Sequence, residues 1–503
     1  MAAEALDLPD IQGNLMRGYN FAHARHFAVE VRDPRLARSF IGELAGVAQP
    51  PAAAGPAAAE APPVAAERSP PPTEATPLRV STEEEWDPGR PDYRLNLGFT
   101  WPGLKALGIP AATLEAFPVA FREGPAARAA AGDPDYPRTG INLGDDGESG
   151  PDHWVLGGHG SEVHMMLSLY TDDVDRARLE QLSQQLRTRF GTGGIGEIVP
   201  SHDADALPEG RVHFGYRDGI AQPRIRGAPG RERPDMQPEA LPGDFLLGRD
   251  YVNAYGGNHL GSLPPALGDN ATYAAFRILR QDVVAFEHLL EDWGRRYGLS
   301  PELVAAKLLG RWRDGTPLTL SPDSDSPVAD ERLNEFDYAA VEDHTTFFDD
   351  PDGVRCPIGA HIRRLNPRGS LVMGQPHSRR LVRRSMPYGP QYRPGDPEDE
   401  IERGLIGMFV CGDLEMQYEF ILRVWANEDI STHGLRGTRD PLLGAQPTAG
   451  GMFVMRTDDA RDPIVMTGLP RLIQTRGSVY CMLPGIGGLR YIASTPPGER
   501  PAP

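Results

Sequence analysis

The chain has 503 residues, and Gly (57) and Pro (50) together make up about a fifth of it, so loops are abundant. Hydrophobic residues account for 40% of the chain, which is enough for a sizeable core and excludes global disorder. The formal net charge is −19, and a polyanion such as DNA would be repelled by this balance. The length is that of roughly two to four domains, and we expect no nucleic-acid partner.

The three cysteines, Cys356, Cys411 and Cys481, include no CxxC pair, which argues against a disulfide framework and against a thiolate zinc site. The opening residues MAAEALDLPD lack the basic and apolar regions of an export signal. No apolar run approaches the length of about 18 residues that a membrane helix needs. These features predict a cytoplasmic protein without membrane contact.

The first half of the chain reads as strands and helices in the order β-α-β-β-α. A Pro/Ala-rich stretch at 50–77 interrupts this order and is interpreted as an exposed insertion, because repeated Pro prevents a continuous helix. The periodicity of hydrophobic residues predicts strands at 26–33, 94–101 and 163–170 and helices at 35–44, 102–108 and 173–190. This order is typical of a ferredoxin-like α+β unit.

The second half repeats the pattern less clearly. A strand that continues into a helix is predicted at 271–293, helices at 301–312 and 415–427, and strands at 405–411 and 478–484. Two similar α+β halves in one chain are therefore expected.

Two familiar motifs are absent or rejected. GTGGIG (191–196) matches GxGxxG, but a helix precedes it where a dinucleotide site needs a strand. No GxSxG elbow supports a serine hydrolase.

Three segments are unusual in composition, although each has an ordinary structural explanation when taken alone. In CPIGAHIRRLNPRG (356–369), His361 lies between an apolar run and several arginines, as an axial haem ligand with propionate-binding guanidiniums would. In VHFGYRDGIAQP (212–223), Asp218 is followed by Gly and suits a turn. The arginine-rich RRLVRRSMPYGP (379–390) alone suggests a basic surface loop or a phosphate-binding patch.

Together, these segments resemble the dye-decolourising peroxidase family. The family's GxxDG motif is matched by Gly215, Asp218 and Gly219, its proximal-His segment by CPIGAHIRRLNPR and its distal-Arg segment by RRSMPYG. Weaker similarities extend over nearly the whole chain except the insertion. The segment lengths look most like the larger, cytoplasmic bacterial members.

The resemblance implies an α+β fold in which two ferredoxin-like halves, antiparallel sheets with flanking helices, form a dimeric, barrel-like peroxidase fold. It divides the chain into 1–225 and 226–503, with one haem b bound in the C-terminal half. His361 would be the axial ligand of the haem iron, with Asp413, or alternatively Glu415, as the carboxylate that accepts its other N–H. Arg363 and Phe409 complete the implied cofactor-binding set.

The resemblance also implies the catalytic residues. Asp218 would move the proton of the peroxide, and Arg383, preferred to the adjacent Arg384, would stabilise the developing charge. Ser385 stands where relatives often have Gly or Asn. Tyr388, Trp425 and Tyr480 are offered as electron relays, although such residues more often serve as core packing.

The implied activity is reduction of H₂O₂ and one-electron oxidation of phenols, dyes or similar aromatic molecules through a ferryl intermediate. A haem carrier or sensor with little turnover is the alternative, and His361 alone would suffice for it. A structural protein without haem is a third hypothesis. The oligomeric state is left open.

Overall fold

The computed structural model describes residues 5–47, 77–84, 89–129, 143–228, 238–251, 263–339, 350–370, 376–428, 430, 434–456 and 462–495. Residues 50–76 of the predicted Pro/Ala-rich insertion lie outside the described residues.

Eleven strands are found in this part of the chain. They are β1 (His23–Val31), β2 (Tyr93–Phe99), β3 (Met165–Thr171), β4 (Ile195–Glu197), β5 (His202–Asp205), β6 (Thr272–Gln281), β7 (Val382–Tyr388), β8 (Gly404–Cys411), β9 (Gly451–Met455), β10 (Ile464–Leu469) and β11 (Ile473–Leu483).

The described helices lie between and after these strands. They are α1 (Pro34–Leu44), α2 (Trp101–Ala106), α3 (Ala111–Glu115), α4 (Val119–Glu123), α5 (Ala177–Thr192), α6 (Pro265–Gly268), α7 (Val283–Tyr297), α8 (Pro301–Leu309), α9 (His361–Leu365) and α10 (Ile486–Ser494), with two π-helical segments at Leu414–Glu419 and Ile421–Ala426.

Two sets of four strands have the same order. The first set is arranged β4-β1-β3-β2 and the second β11-β6-β8-β7, so that each set, numbered within itself, reads 4-1-3-2. Every pairing in both sets is antiparallel, and helices connect the strands as in a ferredoxin-like unit. The two halves predicted from the sequence are therefore visible as two copies of one topology.

The two sets join into one sheet, and this sheet curls. Strands β2 and β11 pair at Phe99 and Met482, and at the far ends β5, which pairs with β1, lies against β7. The result is the barrel-like arrangement of two halves that was expected. The domain boundary near residue 225 stays a prediction.

Local sequence signals explain several element ends. Asp33 caps α1 by accepting the N–H groups of Arg35 and Leu36, and Ser300 caps α8, which begins with Pro301. Helix α5 ends at Thr192, and its Gly-rich continuation is a turn into β4. The rejection of a dinucleotide site at this turn agrees with the structure.

Two segments have a local structure that the sequence did not predict in full. The arginine-rich segment that read as a basic loop contains strand β7, because its residues pair along β8 from Val382 to Tyr388. The helix predicted at 415–427 is present, but it is made mainly of the two π-helical segments, and its first residue follows the Asp413 cap.

Candidate functional site

A cavity of about 300 Å³ lies beside the sheet of the second half, and His361 is part of its lining; we call it the His361 cavity. Its apolar wall comes from β6, β8, α8, α9, the second π-helical segment and the residues after Asp440. This wall includes Leu279, Leu309, Ile362, Leu365, Phe409, Ile421, Leu442 and Leu443. A largely apolar cavity with a few polar groups is the usual form of a cofactor site.

His361 is oriented by a buried carboxylate. Its Nδ1 atom lies 3.0 Å from both carboxylate oxygens of Asp440, which is fully buried. Burial opposes ionisation of Asp440, but His361, the N–H of Leu443 and Arg364 together hold its pKa below the ordinary value. An ionised Asp440 can only accept, so Nδ1 donates, and in the neutral imidazole the lone pair is then on Nε2.

The backbone fixes Asp440 in place. Its Oδ1 accepts the N–H groups of Leu442 and Leu443, and its own N–H donates to the carbonyl of Ala426. The segment RDPLLG therefore folds into a turn that presents the carboxylate to His361.

The expectation that Asp413 or Glu415 is the partner of His361 is wrong. Asp413 caps the first π-helical segment, where its carboxylate accepts the N–H of Met416. Glu415 is about half exposed and lies 3.4 Å from Arg128. The true partner is 79 residues from His361 along the chain, so no local pattern connects the two.

Asp218 and Arg383 belong to the lining of the same cavity. The hydroxyl of Ser385 donates to Asp218 Oδ2 at 2.7 Å. Arg383 Nη2 donates to the carbonyls of Ile220 and Ala221, each at 3.0 Å, and burial lowers the pKa of Arg383 while Asp218 opposes this shift. Ser385 and Arg383 of β7 thus both hydrogen-bond to the GxxDG loop, which places the Asp218 carboxylate and the Arg383 guanidinium in one lining.

Strand alternation explains why Arg383 rather than Arg384 meets this loop. Arg383 and Ser385 lie on one face of β7, and both contact the Asp218 loop. Arg384 between them donates instead to the carbonyls of Asn14 and Leu15, in the N-terminal segment. This arrangement favours the residue that the sequence analysis preferred.

The Asp218 loop needs unusual backbone conformations. Gly215 and Gly219 have φ values of 84° and 76°, and Ala221 has a φ of 60°, which is uncommon for a residue with a Cβ. Strain of this kind is concentrated at functional sites.

Asp218 and its neighbours Arg383 and Ser385 also border a second cavity of about 450 Å³, which we call the inner cavity. Its lining includes Asp218, Arg383 and Ser385 on one side and His26 and Tyr170 of the first half on another. These three side chains, with Arg384 and Gly407, belong to the linings of both cavities and lie between them.

Two buried arginines give the His361 cavity a cationic end. Arg311 donates to the carbonyls of Gly315 and Leu333 and, at 3.0 Å, to Asn334 Oδ1, which also accepts from Arg368. All the hydrogen-bond acceptors of Arg311 within the described ranges are uncharged. Burial, with Arg368 nearby, lowers the pKa of Arg311 to about 9. An anion placed here would relieve the cost of this buried charge.

Arg363 does not line the cavity, contrary to the prediction that it helps to bind the cofactor. It is buried outside the cavity lining, pairs with Asp350 at 3.0 Å and donates to the carbonyl of Cys356. Its guanidinium also lies 4.4 Å from the centre of the Tyr338 ring. Phe409, by contrast, does lie in the lining, where its strand position is opposite Arg383.

The three residues offered as relays lie in different surroundings. The Tyr388 hydroxyl donates to the exposed carboxylate of Glu402 at 3.0 Å. Trp425 is buried in the second π-helical segment, and buried Tyr480 donates to Glu419 Oε1 at 2.9 Å.

These side chains fit the haem that the resemblance implies. A histidine with a free Nε2 lone pair can bind iron, an apolar wall suits the macrocycle, and Arg311 and Arg368 suit the propionates. Within the described ranges, no group of three or more His, Cys, Asp or Glu side chains forms a separate metal site. No described helix is long and apolar enough to cross a bilayer.

No family model matches the chain. A dye-decolorizing peroxidase of Mycena epipterygia is 31% identical over 314 residues, 57% of this chain and 58% of that protein. A dye-decolorizing peroxidase of Exidia glandulosa is 26% identical and covers 97% of this chain and 87% of its own length. The solved structure of a dye-decolorizing peroxidase in complex with 2,6-dimethoxyphenol superposes with a TM-score of 0.73 at 24% identity, covering 97% of this chain and 100% of that one. This likeness confirms the predicted fold.

Proposed function

We infer that the chain belongs to the dye-decolourising peroxidase family and is a haem enzyme that reduces H₂O₂ and oxidises aromatic molecules. The observation that carries this inference is the His361 cavity. It brings together a carboxylate-oriented histidine, Asp218, Arg383 and the buried Arg311, whose hydrogen-bond acceptors among the described residues are all uncharged. These four residues come from four separate stretches of sequence.

The bound haem would supply the iron at which peroxide is cleaved. His361 Nε2 would hold the iron, and Asp440 would make the imidazole more basic by accepting its Nδ1–H. Arg311 and Arg368 would pair with the propionates. None of the three cysteines, all of them described, lines the cavity, which supports a non-covalently held haem b, one per chain.

Asp218 is the proposed proton carrier for peroxide. Its Oδ2 accepts from Ser385, so Oδ1 is left to take a proton from one peroxide oxygen and return it to the other. Arg383 is held by two carbonyls beside the same loop, and its fixed charge would stabilise the hydroperoxide anion.

Phenols and dyes are the proposed reductants. Support comes from a structural neighbour that was solved with 2,6-dimethoxyphenol. The relays Tyr388, Trp425 and Tyr480 remain proposals in this scheme.

Both relatives described above come from fungi, and the segment lengths are the support for the proposed bacterial subtype. A cytoplasmic location is likewise a proposal. The free, buried cysteines support it, because a reducing compartment keeps thiols unpaired. Cell fractionation of the native host would test this location.

The experiment that tests the function uses protein reconstituted with haem, mixed with one equivalent of H₂O₂ in a stopped-flow spectrometer. We expect a rapid change of the haem absorption in the wild type. Asp218→Asn and Arg383→Leu should each slow it by about 10²–10³-fold, because each removes a proton carrier or a fixed charge. Arg384→Leu is the comparison: Arg384 also lines the cavity, but its guanidinium bonds to the N-terminal segment, so its loss should slow the reaction less than the loss of Arg383 does.

His361→Ala should lose or strongly weaken haem binding. Unchanged rates in the Asp218 and Arg383 variants would refute their roles, and unchanged haem retention in His361→Ala would refute the ligand assignment. Haem that binds but does not respond to peroxide would favour the carrier or sensor alternative. Failure to bind haem at all would favour a structural protein.

A further inference from the structure

Two turns of the chain share one sequence pattern and one hydrogen-bonding scheme. They are GRVHFGYRDG (210–219), the first turn, and GRWRDGTPL (310–318), the second turn. In each, Nη1 of the arginine after the leading glycine donates at 2.8 Å to the carbonyl of a glycine four residues later; these arginines are Arg211 and Arg311. The eighth residue after each leading glycine also donates its N–H to the carbonyl of that glycine. In the first turn this residue is Asp218, so the turn fixes the backbone of the proposed proton carrier.

Arg313 of the second turn contacts the four residues that precede the proposed proton carrier. Its Nη1 donates to the carbonyl of Phe214 at 3.0 Å, and its own carbonyl accepts the N–H of Arg217 at 2.9 Å. Its guanidinium lies 5.8 Å from the centre of the Tyr216 ring. A Cβ added at Gly215 would lie 2.5 Å from Nη1, so the guanidinium fills the space that this glycine leaves. Arg313 thus supports the part of the first turn that leads to the carboxylate.

The charge of Arg313 is neutralised within the protein. Both carboxylate oxygens of Glu287 in α7 accept from its Nη2, at 2.9 and 3.2 Å, and the two side chains are only 15% and 16% exposed. The more exposed carboxylate of Glu302 lies 3.2 Å from its Nε. Arg313 belongs to the lining of neither cavity, so an effect of this residue on the peroxide reaction must pass through the first turn.

The second turn also forms part of the His361 cavity. Arg311 lines the cationic end of that cavity, while Arg313, two residues later, packs against the first turn. The carbonyl of Gly315 accepts from Arg311, so the position of the Arg311 guanidinium and the conformation of the second turn depend on each other. An anion that binds Arg311 would therefore order the second turn and, through Arg313, the first.

We propose that Arg313 is a positioning residue for Asp218, and that the second turn couples the binding of haem at Arg311 to the geometry of this carboxylate. The proposal rests on the proposed peroxidase function. With Arg313 in place, the first turn holds Asp218 where Ser385 donates to its Oδ2 and where its Oδ1 is left for peroxide. Without Arg313, the turn loses a hydrogen bond and the cation beside Tyr216, and the carboxylate occupies this position for a smaller fraction of the time.

The first test is the rate at which the haem-reconstituted enzyme reacts with H₂O₂. We expect Arg313→Gln to lower the second-order rate constant by about 10–100-fold, because displacement of a reacting group by about 1 Å can cost about 100-fold. The later reduction by 2,6-dimethoxyphenol should change less, because the proposed role of Asp218 is in the peroxide step. Arg313→Lys should recover part of the loss, since an ammonium group can still donate to the Phe214 carbonyl.

The matched control is Glu302→Gln. It removes a charge beside Arg313, but no hydrogen bond from Glu302 to the first turn is described, so its peroxide rate should equal that of the wild type.

Hydrogen exchange measured by mass spectrometry reports on the first turn itself and needs no peroxide. In the apoprotein, Arg313→Gln should speed exchange in peptides from 210–219 and leave the peptides of β3 unchanged. In the wild type, haem should slow exchange in peptides from 210–219, and Arg313→Gln should remove this protection. The wild-type measurement does not depend on how well a variant folds.

The outcomes separate this proposal from the proposed function. An unchanged peroxide rate in Arg313→Gln would overturn the positioning role, and haem binding that leaves exchange in 210–219 unchanged would overturn the coupling. Equally faster exchange in β3 would show that Arg313 supports the fold in general and would overturn the positioning role too. Haem that binds and protects the first turn but does not react with peroxide would refute the peroxidase function alone.

Discussion

The pKa values of two carboxylates, Asp440 and Asp244, are shifted in opposite directions by their surroundings. Asp440 is kept ionised by His361 and backbone N–H groups, despite complete burial. Asp244, in a turn before β6, has only Arg380 and one N–H to offset its burial, which raises its pKa to about 6. The number of donors around each carboxylate, more than its depth, decides which form is stable.

Asp244 therefore makes stability depend on pH. The pKa of Asp244 is higher in the folded than in the unfolded chain, so its ionisation destabilises the fold. The loss in free energy of unfolding grows as pH rises from about 4 to about 6. Above pH 6 the cost is at most about 3 kcal/mol. Asp244→Asn should raise the free energy of unfolding at pH 8 and change it little at pH 4, measured by urea unfolding.

The matched control is Asp323→Asn, because Asp323 is exposed in an acidic loop. It should leave the stability unchanged at both pH values. An equal gain for Asp244→Asn at pH 4 and pH 8 would contradict the assignment of the pKa shift.

At the scale of elements, the end of α8 is packed against the helix that carries His361. Gly310 ends α8 with a φ of 100°, and a Cβ added there would lie 2.5 Å from Ile362 Cγ1. Ile362 is the next residue after His361 and also lines the cavity. The position thus requires Gly for its backbone conformation and for the space that it leaves.

Gly298 provides a control that separates these two requirements. It ends α7 with a φ of 68°, but a Cβ there would meet nothing within 4 Å. Gly298→Ala should cost about 1 kcal/mol through backbone strain alone. Gly310→Ala should cost more and should also weaken haem binding, because Ile362 must move.

Thermal unfolding of the apoproteins and haem titration would measure both effects. Equal losses of stability in the two variants, with unchanged haem affinity, would show that α8 does not position α9.

At the scale of the whole molecule, the cavity holds a cation that the described chain does not neutralise. Replacement of Arg311 by Gln keeps hydrogen-bonding capacity and removes the charge. We expect Arg311→Gln to weaken haem binding by about 10–100-fold, since a hydrogen bond between charged groups contributes about 1.5–3 kcal/mol. The apoprotein should be as stable as the wild type or more stable, because a buried charge has been removed.

The comparison is with Arg217→Gln. Arg217 also lines the cavity but is paired with Asp330 at 2.7 Å, so haem affinity should change little. Haem titrations and melting curves of both variants, with and without haem, would measure this. A similar loss of affinity in both variants would mean that Arg311 has no special role.

The sequence could predict what short segments encode. His361, Asp218 and Arg383 each lie in a compact motif. Six of the eleven described strands, β1, β2, β3, β6, β8 and β11, follow from the alternation and burial of their residues. Asp440 and Arg311 could not be assigned, because their roles arise only when distant segments meet in the fold. Arg363 misled the prediction, since a nearby arginine is not necessarily one that faces the cavity. Strand β7 was missed because its arginines made a strand that pairs along β8 look like a basic loop.

The π-helical stretch from Leu414 to Ala426 has a genetic consequence. π turns usually occur inside α-helices as local bulges, often at functional sites. Loss of a single codon here would let an α-helix form and would rotate the following residues by about 100°. The carbonyls of Trp425 and Ala426, which accept from Arg364 and from the N–H of Asp440, would then turn away. We expect a one-residue deletion in this stretch to be far more damaging than replacement of its exposed residue Glu415, so the length of the open reading frame at this point is itself under constraint.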